Sequence, residues 1–155
     1  MKKIGELSLM HVLIYLVPLL AIAALAFAAY KANYVSKMAP GSSRMQEISG
    51  AIAEGASAFL KSEYKILAVF ILVLFVLIAV FINPATALCF VAGAGCSILA
   101  GFFGMRVATK ANVRTANAAL EHGMNRALSV AFSGGSVMGM CVVGLGLLGC
   151  SLIYI

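Results

Sequence analysis

The acidic residues are the first place to look for chemistry, and this chain of 155 residues has only five of them. They are scattered along the sequence, without any aspartate: Glu6, Glu47, Glu54, Glu63 and Glu121. Metal-assisted phosphoryl chemistry usually depends on a cluster of hard oxygen ligands, most often aspartates. We therefore assign no catalytic, cofactor-binding or metal-binding residue from the sequence.

Cysteines and histidines are the other candidate ligands and nucleophiles. The four cysteines all lie in apolar stretches, and no two have CxxC spacing: Cys89, Cys96, Cys141 and Cys150. This pattern favours small packing residues over a disulfide or a metal site. His11 lies at the outer end of an apolar segment and His122 lies beside Glu121 in a polar one. We expect both histidines to be interfacial or solvated.

Two basic segments could attract anions. Lys61 and Lys65 alternate with Glu54 and Glu63, as in solvated pairs on one helix face. The segment 104–115 is polar, basic and regular, which predicts a cytoplasmic helix extension. It could attract anionic lipid headgroups or a phosphate compound, and headgroup contact is the favoured interpretation.

The composition shows which kind of protein must position these residues. Hydrophobic residues make up 63% of the chain and charged residues 10%, with a mean hydropathy of +1.08. A soluble domain has about 25% charged residues, so a water-soluble globule, a disordered chain and a nucleic-acid-binding module are excluded. Four apolar segments are long enough for membrane-spanning helices, about 10–30, 65–82, 85–107 and 128–155. These segments lack the alternation of apolar and polar residues that is typical of barrel strands. They therefore predict an all-α integral membrane protein in the lipid bilayer.

The basic residues predict the orientation. Nine of them lie in segments 31–65 and 106–127, whereas only Lys2 and Lys3 precede the first span. The positive-inside rule places loops 31–64 and 108–127 in the cytoplasm and both termini outside. A competing interpretation makes the first span a cleaved signal peptide, with Ala26-Phe27-Ala28 as the cleavage-like triplet.

The second span is predicted to continue a longer helix. Ser43-x-x-Gln46 has the form of a capping box, and a helix from Arg44 to Ile82 would be about 58 Å long. That length exceeds the hydrocarbon core of about 30 Å, so its first half should project into the cytoplasm. The following turn is only Asn83-Pro84.

Small residues recur every four positions in the third span, at Ala85, Cys89, Gly93, Ser97 and Gly101. The fourth span has Gly135-x-x-x-Gly139, followed by Gly144, Gly146 and Gly149. Such ridges allow close helix packing in lipid. Gly134-Gly135 resembles a phosphate loop, but no lysine follows. No span carries an acid or a base near its midplane, so we expect no ion route through these four helices alone.

Three ordered stretches carry a resemblance to a known family. Residues 45–65 resemble the cytoplasmic end of the second helix of membrane-bound, ion-translocating pyrophosphatases. Residues 99–105 and 108–119 resemble that family's third helix and the loop after it, and residues 131–139 and 144–149 resemble its fourth helix. The resemblance covers nearly the whole chain and is weakest in the first span.

The resemblance implies a single polypeptide of roughly sixteen helices that forms a homodimer. Such a protein hydrolyses pyrophosphate held by Mg²⁺, with K⁺ as a further candidate ion, and pumps sodium ions or protons. The family's ligands lie in aspartate-rich motifs on later helices of an inner ring, so none can be carried over to this chain. The chain is thus expected to be an N-terminal fragment that supplies outer-ring helices and is inactive alone. Its apolar end at 151–155 agrees with the expectation of a fragment. The alternative is a self-contained four-helix transporter or assembly subunit.

Overall fold

The chain folds as four long α-helices in the computed structural model, which describes the backbone of residues 2–154 and the side chains of residues 15–154. The helices are α1 (Lys2–Lys37), α2 (Ser43–Phe81), α3 (Pro84–His122) and α4 (Met124–Tyr154). Over residues 2–154 the structure contains no β-strand. The all-α prediction is therefore confirmed.

All four helices are long and apolar enough to cross a membrane. The two longest, α2 and α3, have 39 residues each, which corresponds to about 58 Å at 1.5 Å per residue. The prediction of four membrane helices with a long second helix is confirmed. Pro18 lies inside α1 without ending it, as membrane helices tolerate.

The connections between helices are much shorter than the predicted cytoplasmic segments 31–64 and 108–127. They comprise residues 38–42, residues 82–83 and Gly123 alone. The polar segments are mostly continuations of the helices, because nothing in them interrupts the backbone hydrogen-bond ladder. The side of the membrane on which they lie remains a prediction.

The start of α2 corrects one prediction. The N-cap is Ser42 and not Ser43, because the Ser42 hydroxyl accepts a hydrogen bond from the Met45 backbone N–H at 3.4 Å. Gln46 donates from its side-chain amide to the Gly41 carbonyl at 2.9 Å. Of the predicted Ser43–Gln46 pair, only Gln46 takes part in the cap. The serine that caps the helix is Ser42, one residue earlier. Gly41 itself has a φ of +83°, a conformation that glycine adopts without a steric penalty.

Side-by-side contacts arrange the helices in the order α2, α3, α4, α1, with a smaller contact between α1 and α3. The core between α1, α3 and α4 consists of small side chains, which let the helix backbones approach closely. One cluster contains Ala28, Ala100, Val137 and Cys141, and a second contains Ala118, Ala127 and Val130. The core is therefore built from small residues, as the sequence predicts.

The predicted glycine ridges are confirmed only in part. A Cβ atom added at Gly93, Gly135 or Gly139 would meet nothing within 4 Å among the described atoms. Gly144, also predicted, does lie at a close contact, because an added Cβ would be 2.7 Å from the Leu25 side chain. At Gly134, which the ridges did not include, an added Cβ would lie 2.5 Å from the Ala111 Cβ.

Helix α2 is the least embedded element. None of its side chains is buried, and its only extensive contact is with α3. Ile48, Ile52 and Phe59, the apolar residues at helical spacing in its first half, are each about half exposed. The groove between α2 and α3 is consequently open along one side.

Candidate functional site

The helix arrangement gathers nine basic residues at one end of the bundle, which we call the basic end: Lys31, Lys37, Arg44, Lys61, Lys65, Arg106, Lys110, Arg114 and Arg126. Successive helices run antiparallel, so the end of α1, the first half of α2, the last part of α3 and the start of α4 meet there. Hydrogen bonds from Arg114 to the carbonyls of Met38 and Ser36 confirm that these segments are adjacent. The basic end is therefore the place where the structure concentrates charge.

Few of these charges are neutralised by glutamate. Among the described side chains, ion pairs join Arg44 to Glu47 at 2.7 Å and His122 to Glu121 at 3.8 Å, and all four residues are exposed. The predicted pairing of Glu54 and Glu63 with the two nearby lysines is wrong, because neither glutamate forms an ion pair in this part of the chain. Both lysines face the α2–α3 groove instead. His122 is exposed as predicted, and the side chain of His11 lies outside the described residues.

The acids, cysteines and histidines do not assemble into a reactive cluster. Over the described residues no group of three or more histidine, cysteine, aspartate or glutamate side chains could hold a metal ion. The four cysteines are free, and Cys141 is the buried one, in the core against Ala28 and Val137. The buried polar side chains in residues 15–154 are Thr109, Asn117, Ser133 and Ser151, none of which is ionisable.

A groove of about 850 Å³ lies between α2 and α3, which we call the basic groove. Four of its lining residues are cationic: Lys61 and Lys65 on α2, and Arg106 and Lys110 on α3. The remaining lining consists of apolar and hydroxyl side chains: Ala53, Ala56, Ser57, Leu60, Tyr64, Ala68, Phe102, Met105 and Thr109. No carboxylate lines the groove.

The four cations are available to a ligand. Within the described part of the chain, none of them donates a side-chain hydrogen bond or forms an ion pair. The Arg106 guanidinium lies over the Phe102 ring at 5.8 Å from its centroid, a cation–π contact that holds it beside the groove. These groups can bind and orient an anion, and the groove contains no nucleophile–base pair that could react with it.

The hydroxyl groups of the groove fix its walls. Tyr64 donates its O–H to the Ile98 carbonyl at 3.0 Å, the one side-chain hydrogen bond between α2 and α3 among the described residues. Thr109 donates back to its own helix, to the carbonyls of Met105 and Arg106. Ser57 likewise donates to the Ala53 carbonyl of its own helix at 2.8 Å. All three hydroxyl protons are therefore engaged by the protein, and recognition of an anion falls to the four cations.

A second set of contacts joins α1 to α3 at the basic end. Arg114 donates from Nε to the Met38 carbonyl at 3.1 Å and from Nη2 to the Ser36 carbonyl at 3.4 Å. The Asn117 amide donates to the Ala39 carbonyl at 3.5 Å. These carbonyls belong to the end of α1 and the segment after it, where intrahelical donors are lacking. Arg114 is thus a structural contact and not part of an anion site.

Lys31 lies deeper between α1 and α4. Its ammonium group is 3.5 Å from the Ser133 hydroxyl oxygen and 5.6 Å from the ring centroids of both Phe27 and Tyr34. A half-buried lysine held in this way by two aromatic rings and a hydroxyl group stabilises the α1–α4 contact. It does not reach the basic groove.

The sequence identified only the α3 half of the groove. The basic segment 104–115 contains Arg106 and Lys110, but Lys61 and Lys65 were assigned to pairs along their own helix. The two-residue turn at 82–83 could have predicted that the basic residues of α2 and α3 face each other. A tight turn brings together positions of the two helices that are equally distant from it. Lys61 and Arg106 are within two residues of such a pair.

Comparisons with known proteins bear on the whole chain. A family model described as "Inorganic H+ pyrophosphatase" matches residues 22–155. A Clostridium tetani protein named as a K(+)-stimulated pyrophosphate-energized sodium pump is 55% identical over 122 residues, which is 79% of this chain and 18% of that protein.

Two further relatives align over more of the chain. A K(+)-insensitive pyrophosphate-energized proton pump from Methanosarcina mazei is 42% identical over 148 residues, covering 94% of this chain and 22% of the relative. A K(+)-stimulated pyrophosphate-energized sodium pump from Thermotoga maritima is 42% identical over 144 residues, covering 92% of this chain and 19% of the relative. The chain therefore spans about a fifth of the length of these relatives.

Proposed function

Because this chain belongs to the inorganic H+ pyrophosphatase family, we propose that it forms the N-terminal part of a pump that couples pyrophosphate hydrolysis to the transport of sodium ions or protons. The observation that carries the proposal is the match over residues 22–155, together with 42–55% identity to pumps of both ionic types. The activity is assigned to the longer protein, because the matched part is about a fifth of each relative.

The proposed role of these residues is structural. The core consists of alanine, valine, cysteine and glycine, with no acidic or basic side chain buried in residues 15–154. An ion route normally carries acids or bases inside the membrane. The four helices accordingly supply outer-ring packing surfaces, and the ion passes elsewhere.

The chain's own residues do not fit a site for Mg²⁺-bound pyrophosphate. There is no aspartate in the sequence, and the described glutamates do not converge with other ligands. We propose that the Mg²⁺ ligands, the pyrophosphate site and any K⁺ site lie on the remaining helices of the pump. Those helices, the lipid bilayer and a second copy of the pump in a homodimer are the proposed partners.

The alternative of a self-contained four-helix transporter or assembly subunit is not favoured. Its support is that two helical hairpins make a complete topology. Against it, the matched relatives are all roughly five times longer than the aligned part. A small transporter would also need a polar site inside the bundle, where no acidic or basic side chain is buried among the described residues.

A segment exchange tests the proposal. The aligned part of the Thermotoga maritima pump is replaced by the corresponding 144-residue part of this chain, and K⁺-stimulated pyrophosphate hydrolysis is measured in membranes. We expect the hybrid to retain activity within about tenfold of the parent, since the core contacts lie within the exchanged part. A matched hybrid carrying the Methanosarcina mazei segment controls for the damage that any exchange causes. An active control beside an inserted but inactive hybrid contradicts the proposal.

The chain alone gives the complementary measurement. Purified in detergent and supplied with pyrophosphate and Mg²⁺, with and without K⁺, the 155-residue protein should release phosphate at the background rate. The Thermotoga maritima pump in the same assay shows that the conditions support hydrolysis. Release above background by the chain alone would place catalytic ligands within it and overturn the division of roles proposed here.

A further inference from the structure

We propose that the basic groove between α2 and α3 binds an anionic phospholipid, with the phosphate held by the four cations and the acyl chains lying along the apolar face of α2. This inference does not depend on the proposed pump activity. It rests on three properties of the groove: its charge, its depth in the membrane and its apolar continuation.

The charge of the groove calls for a negative ligand. Lys61, Lys65, Arg106 and Lys110 line one open groove without a carboxylate among the lining residues. An anion bound between like charges that line one groove reduces their mutual repulsion. A phosphate group accepts hydrogen bonds from several lysine and arginine donors at once, and such charge-assisted hydrogen bonds are the strong ones. Arg106 is already oriented by its contact with Phe102.

The depth of the groove matches the lipid headgroup region. Both helices start at the turn at 82–83, so residues of α2 and α3 can be placed by their distance from it. At 1.5 Å per residue from the middle of the turn, Lys65 lies about 26 Å away, Lys61 about 32 Å, Arg106 about 35 Å and Lys110 about 41 Å. The hydrocarbon core of a bilayer is about 30 Å thick. With the turn at one membrane surface, the four cations therefore lie at the opposite hydrocarbon–headgroup boundary.

The groove continues as an apolar surface toward the bilayer centre. Its own floor includes Ala68 and Phe102. Adjacent to it, a shallow depression begins at Lys65 and follows Ile66, Val69, Phe70 and Val73 along α2. Val69 and Phe70 are each more than half exposed. A ligand with a charged head and an aliphatic tail satisfies both parts, whereas a free phosphate ion would leave the apolar part uncovered.

Lysine and arginine side chains suit this boundary. Their aliphatic stems can lie along the groove walls while the charged ends reach the headgroups. Each basic residue near an anionic membrane surface contributes to lipid attraction, with an effect of roughly fivefold in affinity. Two such residues on each helix, facing one groove, make a site that is selective for headgroup charge.

The proposal is tested by lipid retention. The protein is reconstituted in nanodiscs of phosphatidylglycerol and phosphatidylcholine in equal amounts, and the lipids that remain bound are quantified by native mass spectrometry. The groove variant carries Arg106→Gln and Lys110→Gln. The matched control carries Lys37→Gln and Arg126→Gln, which removes the same net charge from the basic end but outside the groove. Circular dichroism verifies that both variants remain helical.

We expect the unaltered protein to retain phosphatidylglycerol over phosphatidylcholine. The groove variant should lose this preference at least fivefold, and the control should lose less than twofold. A third variant, Ala68→Phe, keeps every charge and narrows the apolar floor, so it should also weaken phosphatidylglycerol retention. That loss would separate a lipid from a free anion.

Four outcomes overturn the proposal. An equal loss in the groove variant and the control would show diffuse attraction to the whole basic end. Retention of phosphatidylglycerol in the groove variant would place the lipid elsewhere. Displacement of the lipid by millimolar inorganic phosphate or pyrophosphate, with Ala68→Phe unaffected, would assign the groove to a soluble phosphate. The absence of any preference in the unaltered protein would leave the groove without a lipid ligand.

Discussion

Single side-chain positions decide how closely the helices pack. Gly134 lies where α4 meets α3, and the space for a Cβ atom is already taken by Ala111. Its neighbour Gly135 is exposed, with nothing within 4 Å of the corresponding position. Two adjacent glycines in one helix therefore have opposite roles, and only the first is required by packing.

This difference gives the first prediction. Gly134→Ala should destabilise the bundle by about 1–3 kcal/mol, because an added methyl group in a close-packed contact forces the helices apart. Gly135→Ala is the matched control and should leave stability within about 1 kcal/mol of the parent. The free energy of unfolding in mixed detergent micelles measures both. Equal destabilisation by the two substitutions would contradict the assigned α3–α4 contact.

The sequence could predict the presence of small-residue packing and the contact at Gly144, but not the one at Gly134. Gly135 and Gly139 satisfy the spacing rule for close contacts, and so do several other small residues of α4. Moving the contact by one residue turns the helix by about 100°, so the choice depends on which face meets α3. That face is determined by contacts with other helices. The spacing of residues along α4 alone does not specify those contacts.

At the scale of helices, the end of α1 is fixed by a side chain of α3. Arg114 donates to the carbonyls of Ser36 and Met38, beyond the last turn of α1. A cation at a helix C-terminus also interacts favourably with the helix dipole. Arg126, in contrast, reaches this segment only through the Met38 sulfur at 3.9 Å.

The second prediction follows from this contrast. Arg114→Gln should lower the free energy of unfolding by about 1.5–3 kcal/mol, the range for hydrogen bonds to charged groups. Amide hydrogen exchange in residues 36–41 should accelerate at the same time. Arg126→Gln is the control, with the same loss of charge and little change expected in either measurement. Unchanged exchange in Arg114→Gln would show that the segment is held by other contacts.

Helix lengths were well predicted from the sequence, while the faces on which the helices meet were not. The helix expected from Arg44 to Ile82 begins and ends within one residue of the observed α2, because apolar length and end signals are local properties. The tight turn at Asn83-Pro84 predicts α3 as the neighbour of α2, but not which faces of the two helices meet. The pairing of Lys61 and Lys65 with Arg106 across the groove depends on the α2–α3 turn and on the Tyr64–Ile98 hydrogen bond, which joins residues far apart in sequence.

For the whole molecule, the distribution of charge predicts an orientation. The positive-inside rule places the basic end in the cytoplasm, with the turn at 82–83 and both termini outside. This orientation remains a prediction, and cysteine labelling in intact cells tests it. The four native cysteines are first replaced by alanine or serine so that only introduced thiols react.

The third prediction concerns these introduced thiols. A cysteine placed by Ser42→Cys should be protected from a membrane-impermeant maleimide in intact cells and should react after lysis. Ile82→Cys, at the exposed opposite turn, should react from outside. Protection of the Ile82→Cys protein together with external labelling of the Ser42→Cys protein would reverse the orientation.

The concentration of charge at the basic end also makes the orientation responsive to voltage. That end carries nine basic residues and four glutamates, a net charge of +5. Moving one elementary charge across 100 mV costs about 2.3 kcal/mol, so inverting the bundle against an inside-negative potential would cost about 12 kcal/mol from this term alone. An inside-negative membrane potential would then favour the predicted orientation of these four helices over the inverted one.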